Sequence, residues 1–240
     1  MLLTKTAGRL RRAGMLAALL ATGGAAAMTI APVVVELSPA RKVVSVTVTN
    51  PSGSAVNFQA EVLAWSQANG QDRFEATHDI MVVPPVANIA AGASQIFRVT
   101  PRTPPGARER AYRLILEDVT AGVAGPQDSA TVNIRVRHSL PVFVAAAGTP
   151  AMSVQVAQCA APAGKGCVRL SNDGGRYVTT KSMNIESGAW DKQVVLGTRL
   201  LAGGWREWQF DMPANVAGSL SVKADTSAGT FSGALSTLSR

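Results

Sequence analysis

Apolar and polar residues alternate with a period of two in short runs along most of the chain. The pattern is cleanest at 130–136, where Ala130, Val132, Ile134 and Val136 interleave with Thr131, Asn133 and Arg135. On an extended backbone successive side chains point to opposite faces, so each run reads as a strand with one buried and one wet face. Comparable runs, rich in Val, Thr, Ile and Phe, lie at 29–37, 43–50, 57–65, 80–83, 95–100 and 111–119, and the last extends over 130–144. Turn-forming residues separate them: Ser38-Pro39, Asn50-Pro51-Ser52-Gly53, Asn69-Gly70, Pro84-Pro85, Ala91-Gly92 and Pro104-Pro105-Gly106.

Strands at this spacing predict an immunoglobulin-like sandwich. A second set at 154–159, 167–171, 177–185, 193–196, 205–210 and 219–224 predicts another. The short stretch Ala147-Gly148-Thr149-Pro150 is a natural boundary, and its length predicts a fixed angle between the halves. The expected fold is therefore all-β, with two immunoglobulin-like β-sandwich domains at 28–147 and 148–240. Trp65 and Tyr112 fall where such sandwiches bury an aromatic, so both are expected in the core. Leu114 stands where an antibody domain has its second cysteine.

The first 27 residues follow another pattern: a basic segment with Lys5, Arg9, Arg11 and Arg12, a short apolar core at 15–20, and Ala25-Ala26-Ala27 as a small-residue cleavage site. That order is a secretory signal peptide. Its apolar core is too short to span a bilayer, and no later window has an uninterrupted apolar run of that length, so no membrane insertion is expected. Arg11-Arg12 also fits a twin-arginine signal, a route suited to cofactor proteins folded before transport; the general secretory route is expected here. Removing the four leader cations lowers the formal charge from +8 to +4. With dispersed basic residues and only 5% aromatics, the chain lacks the basic, stacking surface of a nucleic-acid binder.

Cys159 and Cys167 are the only cysteines, and outside the cytoplasm they are expected to pair. The residues between them form turns readily, which suits a disulfide across a hairpin end; closing so short a loop contributes about 2 kcal/mol. A metal or redox role lacks further ligands near either cysteine. Enzymatic constellations are also missing. His138 and Ser139 are adjacent on a strand and face opposite ways, and the His78-Asp79 pair reads as a solvated strand entry. There is no Gly-x-Ser-x-Gly elbow and no phosphate loop opening a helix. Neither an enzyme nor a cofactor is expected.

The 130–144 run admits two readings: an ordinary sheet strand, or a strand offered to a partner. The Gly- and Ala-rich loop at 120–129 likewise suits either a segment that orders along a partner, with Val123 adding a contact, or a plain surface loop. Further residues bear on the choice. Segment 41–65 with Val46-Thr47-Val48-Thr49-Asn50-Pro51 inside it, Val83-Pro84-Pro85, 91–99 (Ala-Gly-Ala-Ser-Gln-Ile-Phe-Arg-Val), 109–114 (Glu-Arg-Ala-Tyr-Arg-Leu) and 140–144 (Leu-Pro-Val-Phe-Val) come in an order that resembles the periplasmic chaperones of chaperone-usher pilus assembly. These are the PapD-like proteins, and the nearest branch is the archaic, Csu-like one.

The resemblance covers the whole mature chain. It implies a boomerang of two sandwiches in the periplasm that protects pilin subunits and passes them to an outer-membrane usher. A pilin of this class lacks its last strand, and the chaperone fills the groove by β-augmentation. Ala130, Val132, Ile134 and Val136 are then the donor-strand residues. The resemblance also implies a pair of cations that anchors the pilin's terminal carboxylate. Arg137 is the first choice, with Arg135 second, since both lie on the face opposite the apolar knobs.

The other cation is usually an arginine of the first strand, where this chain has Ala31-Pro32-Val33-Val34-Val35. Arg113 on the neighbouring strand is the expected replacement. Its alternative is an ion pair with Glu109 or Glu117, while Arg98 and Arg102 read as solvated charges. The apolar strand also leaves self-association of the free chain open. A binding module of a surface adhesin, or a pilin itself, shares the leader and the β pattern, but a pilin is one sandwich with its own N-terminal extension.

Overall fold

The computed structural model describes residues 27–120, 135–213, 216 and 218–236. Ala130, Val132 and Ile134, most of the 120–129 loop, and the leader except residue 27 lie outside the described residues. Every described element is a strand.

β1 (Thr29–Ala31), β3 (Val44–Thr49), β8 (Ser94–Pro101) and β6 (Ile80–Val83) form one sheet in that order. The facing sheet runs β2 (Val35–Leu37), β10 (Arg137–Val144), β9 (Arg110–Asp118), β4 (Val56–Ala68) and β5 (Gln71–Ala76), with β7 (Val86–Ile89) also paired to β4. Alternate residues of the two sheets meet in one core. Val46, Val48, Phe97 and Val99 face Phe58, Leu114, Leu116 and Val142, all fully buried. Each such aliphatic or aromatic side chain contributes roughly 1.5–3 kcal/mol on leaving water.

The single run read at 29–37 is two strands in different sheets. β1 pairs antiparallel with β3, and β2 pairs parallel with β10 over Val142 to Val144. Pro32 stands at the crossing, where a residue without an N–H cannot continue a ladder. β2 therefore covers only the last part of β10, and residues 137–141 have β9 on one side and no neighbour on the other among the described residues. Asn50 is buried and satisfied: its Nδ2 donates to the carbonyls of Ser54, Ile89 and Ala90, and its Oδ1 accepts from Ser52. It thus shapes the turn between β3 and β4.

The second sandwich packs β11 (Val154–Gln158), β12 (Lys165–Asn172) and β15 (Trp205–Asp211) against β14 (Trp190–Leu200), β13 (Val178–Ser187), β16 (Ser219–Thr226) and β17 (Gly229–Ser236). Val168, Leu170, Met183, Ile185, Leu200 and Val222 form its centre. Cys159 and Cys167 are joined, closing the β11–β12 hairpin, where Cys159 N also donates to Cys167 O at 3.2 Å. Strands 5, 7 and 17 were not anticipated from the pattern. Short or two-sidedly exposed strands such as β5, with its mostly exposed residues, carry little apolar alternation to read.

Candidate binding site at the seam between the sandwiches

The outer face of the larger sheet builds the site. Alternation sends Phe58 and Val62 of β4 into the core and turns Trp65 and Gln67 to the other side. The ladder sets Trp65 beside Ala111 of β9 and Phe74 of β5, and Ala111 beside Phe143 of β10. Trp65 is buried, but by Phe143 and by Leu201 of the second sandwich. Its expected place in the sandwich core is therefore corrected: its parity on β4 points outward, and the neighbouring domain covers it.

Phe143 stacks on Tyr177, with ring centroids 3.9 Å apart and planes inclined by 14°. Tyr177 is held there by a loop that the buried Asn172 organises, donating to Arg176 O and Leu200 O and accepting from Gly174 N. Glu109 clamps the same loop: its Oε1 accepts from Tyr177 N at 2.8 Å, and its own N donates to Gly175 O at 2.9 Å. Tyr177 OH donates to Glu36 of β2 at 3.3 Å.

Gln67 is the second tie. Its Nε2 donates to Arg199 O at 2.8 Å and to Asp72 at 3.0 Å, while its Oε1 accepts from Leu201 N at 3.0 Å. A Cβ on Gly204 would run into that Oε1, so a larger residue there displaces the Gln67 amide that makes these bonds. Asp72 also meets Arg206 at 2.6 Å. Burial raises the Asp72 carboxyl, but the bonds from its neighbours and the Arg206 charge outweigh it and hold the group below its ordinary value. Asn69 and Gly70, both with positive φ (53° and 71°), make the primed turn that presents β5, and Gly70 lies so close to Trp205 that a Cβ would come within 2.8 Å of its ring. The Asn-Gly pair was the signal that marks β5 in the sequence.

Tyr112, expected in the core, is there. Its hydroxyl donates to Asp79 at 2.9 Å, and burial together with that bond pushes the phenol well above its ordinary range. Asp79 is thus a bonding partner of the core rather than a merely solvated residue.

The cations divide into two groups. Arg137 is about half exposed and sits 3.8 Å from Glu61 and 3.9 Å from Glu117. Arg135 is exposed and has no partner among the described residues. Arg113 pairs with neither Glu109, which Arg176 approaches at 3.8 Å, nor Glu117. Its guanidinium lies instead over the Trp65 ring, 3.9 Å from the centroid. Burial pulls its pKa below the ordinary arginine value; Asp72 counters this and the nearby Arg199 adds to it.

Arg113 and Arg137 belong to one face but to separate rows, since Arg113 is opposite Pro141 and Arg137 opposite Glu117. Four residues of strand separate these rows, about 13 Å. The structure therefore does not bring Arg137 and Arg113 together. Arg199 of β14, whose backbone carbonyl Gln67 holds, is a seam residue that pattern reading missed, because nothing in the sequence indicates which strand of the second sandwich meets the first.

Glu109 gives a pH test. Its side chain is only 4% exposed, and burial raises its pKa despite the Tyr177 bond and the Arg176 charge; Glu36 adds to the rise. The folded chain then holds this proton to higher pH than the unfolded chain, so the group's contribution falls as pH rises from the ordinary carboxylate value to the raised one. Glu109→Gln keeps the acceptor for Tyr177 N and removes the charge. Melting temperatures measured from pH 4 to pH 7 are expected to shift in favour of the variant as pH increases, and a constant offset would refute this.

Comparison with known proteins places this architecture. Residues 27–150 match the model of the family described as pili and flagellar-assembly chaperone, PapD N-terminal domain. No curated protein matches the chain. Among solved structures, the chain is similar to one from the CsuC-CsuE chaperone-tip adhesion subunit pre-assembly complex of archaic chaperone-usher Csu pili of Acinetobacter baumannii, with 19% identity and a TM-score of 0.63 over 89% of this chain and 100% of that one. It is also similar to the class 5 fimbriae chaperone CfaA, with 14% identity and a TM-score of 0.60 over 88% and 100% of the two chains. A Salmonella enterica SafA pilin–SafB chaperone complex supplies a third, with 14% identity and a TM-score of 0.58 over 87% and 96%. These likenesses share the all-β fold of two immunoglobulin-like domains, and with more than half its length matched by the family model, this chain belongs to the PapD-type pili and flagellar-assembly chaperones.

Proposed function

We propose that this chaperone acts in the periplasm, captures a pilin subunit by donor-strand complementation and hands it to an outer-membrane usher. The observation that carries this reading is the free edge of β10. Residues 137–141 have no second neighbour among the described residues, and the alternating run 130–136 continues directly into them. Val136, 45% exposed, belongs to that apolar series. A client strand added there gains main-chain hydrogen bonds, and its groove takes up Ala130, Val132, Ile134 and Val136. Two free copies have the same edges to offer each other, the route to self-association.

A strand running alongside β10 towards the seam loses its place at Val142, where β2 begins to pair. Its terminal carboxylate then arrives at the row of Pro141 and Arg113. Arg113 is accordingly our anchor, and Arg137, already near two glutamates, is a rim charge. The leader at 1–27 and the domains at 28–147 and 148–240 complete this assignment. The test is periplasmic co-expression with a candidate pilin subunit. A one-to-one complex that copurifies is the expected result, and a pilin that stays soluble and monomeric without the chaperone would favour a surface-module role.

A further inference from the structure

We propose that His138 is a further contact of the donor strand and that it takes a client only at the cost of giving up its charge, so that capture weakens as pH falls through the histidine range. This rests on the chaperone reading above. It concerns the apolar face of β10, opposite the face that carries Arg137.

Period-two alternation puts His138 in one row with Val136, Leu140 and Val142, so a histidine interrupts an otherwise apolar series. It stands opposite Leu116 of β9, and its ring centroid lies 6.5 Å from that of Phe58 on β4. Its Nε2 is shielded from water with no hydrogen-bond partner, although the residue as a whole stays partly exposed. The groups on that face supply no countercharge. From β4 come Phe58 and Ala60, and the facing sheet presents Val46, Val48, Phe97 and Val99. The acid of matching parity on β9 is Asp118, two residues beyond Leu116, and its Oδ1 already accepts from Thr120 N at 2.8 Å. Arg137, Glu61 and Glu117 form their ion pairs on the other face.

An imidazolium carries two N–H donors and a charge, and these need acceptors once water is removed. In the free chain water still reaches part of the residue, since 137–141 have no second neighbour among the described residues. A client strand added along that edge covers it with apolar groove. The bound state then favours the neutral ring, while the free state admits the proton. Histidine is the side chain whose charge ordinarily changes between pH 5 and 8. Proton and client therefore oppose each other, and affinity is full on the alkaline side and falls by up to about tenfold per pH unit on the acid side.

Affinity for a candidate pilin subunit would be measured at pH 7.5, 6.5 and 5.5 with wild type, His138→Gln and His138→Leu, each checked for an intact melt at every pH. Between the two extremes the wild type is expected to lose about tenfold to a hundredfold more affinity than either variant, which has no proton to exclude. Ionisable groups of the client act alike on all three proteins, so this difference is the readout. An equal pH dependence in all three would overturn the inference and leave the chaperone reading intact. No binding by wild type at any pH would overturn both. The imidazole resonance of His138, assigned by its loss in His138→Gln, gives a second readout on the unaltered protein. Its titration should lie at lower pH in the complex than in the free chain, and coincident titrations would overturn the inference.

Discussion

Ile134→Asp is expected to abolish client capture without unfolding the chaperone. Ile134 is the third apolar member of the alternating series that starts at Ala130, and it precedes the described part of β10, whose same-parity residues Leu140, Val142 and Val144 are core. If the series fills a client groove, aspartate forfeits roughly 1.5–3 kcal/mol of apolar burial. It also asks a carboxylate to enter a dry groove without a partner, which costs several kcal/mol more. Together these exceed a thousandfold in affinity at about 1.4 kcal/mol per factor of ten. The variant should show a wild-type melt and no copurifying pilin. A complex of undiminished yield would remove the donor-strand proposal, because no groove of this kind accommodates that charge.

Phe143→Ala is expected to have the largest effect on the chaperone itself. Phe143 is fully buried between Trp65 and Tyr177, and truncating a buried phenylalanine costs about 3–5 kcal/mol. The loss falls on the seam rather than on either sandwich core, so the domains should uncouple before they unfold. Urea unfolding is expected to be a single transition in the wild type and to separate into two in the variant, with faster proteolysis between residues 144 and 154. Since the same seam holds Trp65 under the Arg113 guanidinium, client affinity should fall as well. A single transition shifted as a whole would show that the cores, not the seam, feel the change.

Both results concern places where local pattern and long-range packing contribute differently. The alternation at 130–136 is legible because it is a local property that the run states residue by residue. Tyr112 was legible as a core aromatic, and the cysteine pair as a hairpin closure, for the same reason: the strand or turn around each determines its surroundings. Trp65 was not, since a large buried aromatic looks alike in sequence whether a facing sheet or a neighbouring domain covers it. The 29–37 run shows the limit within one domain. Its apolar content marks extended chain, but nothing local says that the two sides of Pro32 pair in different sheets.

What the sequence by itself determined is the all-β class, two sandwiches, the disulfide and the alternating run that leads into β10, because period-two patterning and turn chemistry act over a few residues. Tertiary structure alone decided, among the described residues, which side of β10 is free, which arginine is unpaired and which strand of the second sandwich meets the first. Those depend on β2 stopping at Val142, on Glu61 and Glu117 lying near Arg137, and on Gln67 drawing β14 to the first sandwich. Such choices are made by contacts between segments far apart in the chain, where burial and charge pairing are settled only once the two sandwiches have met.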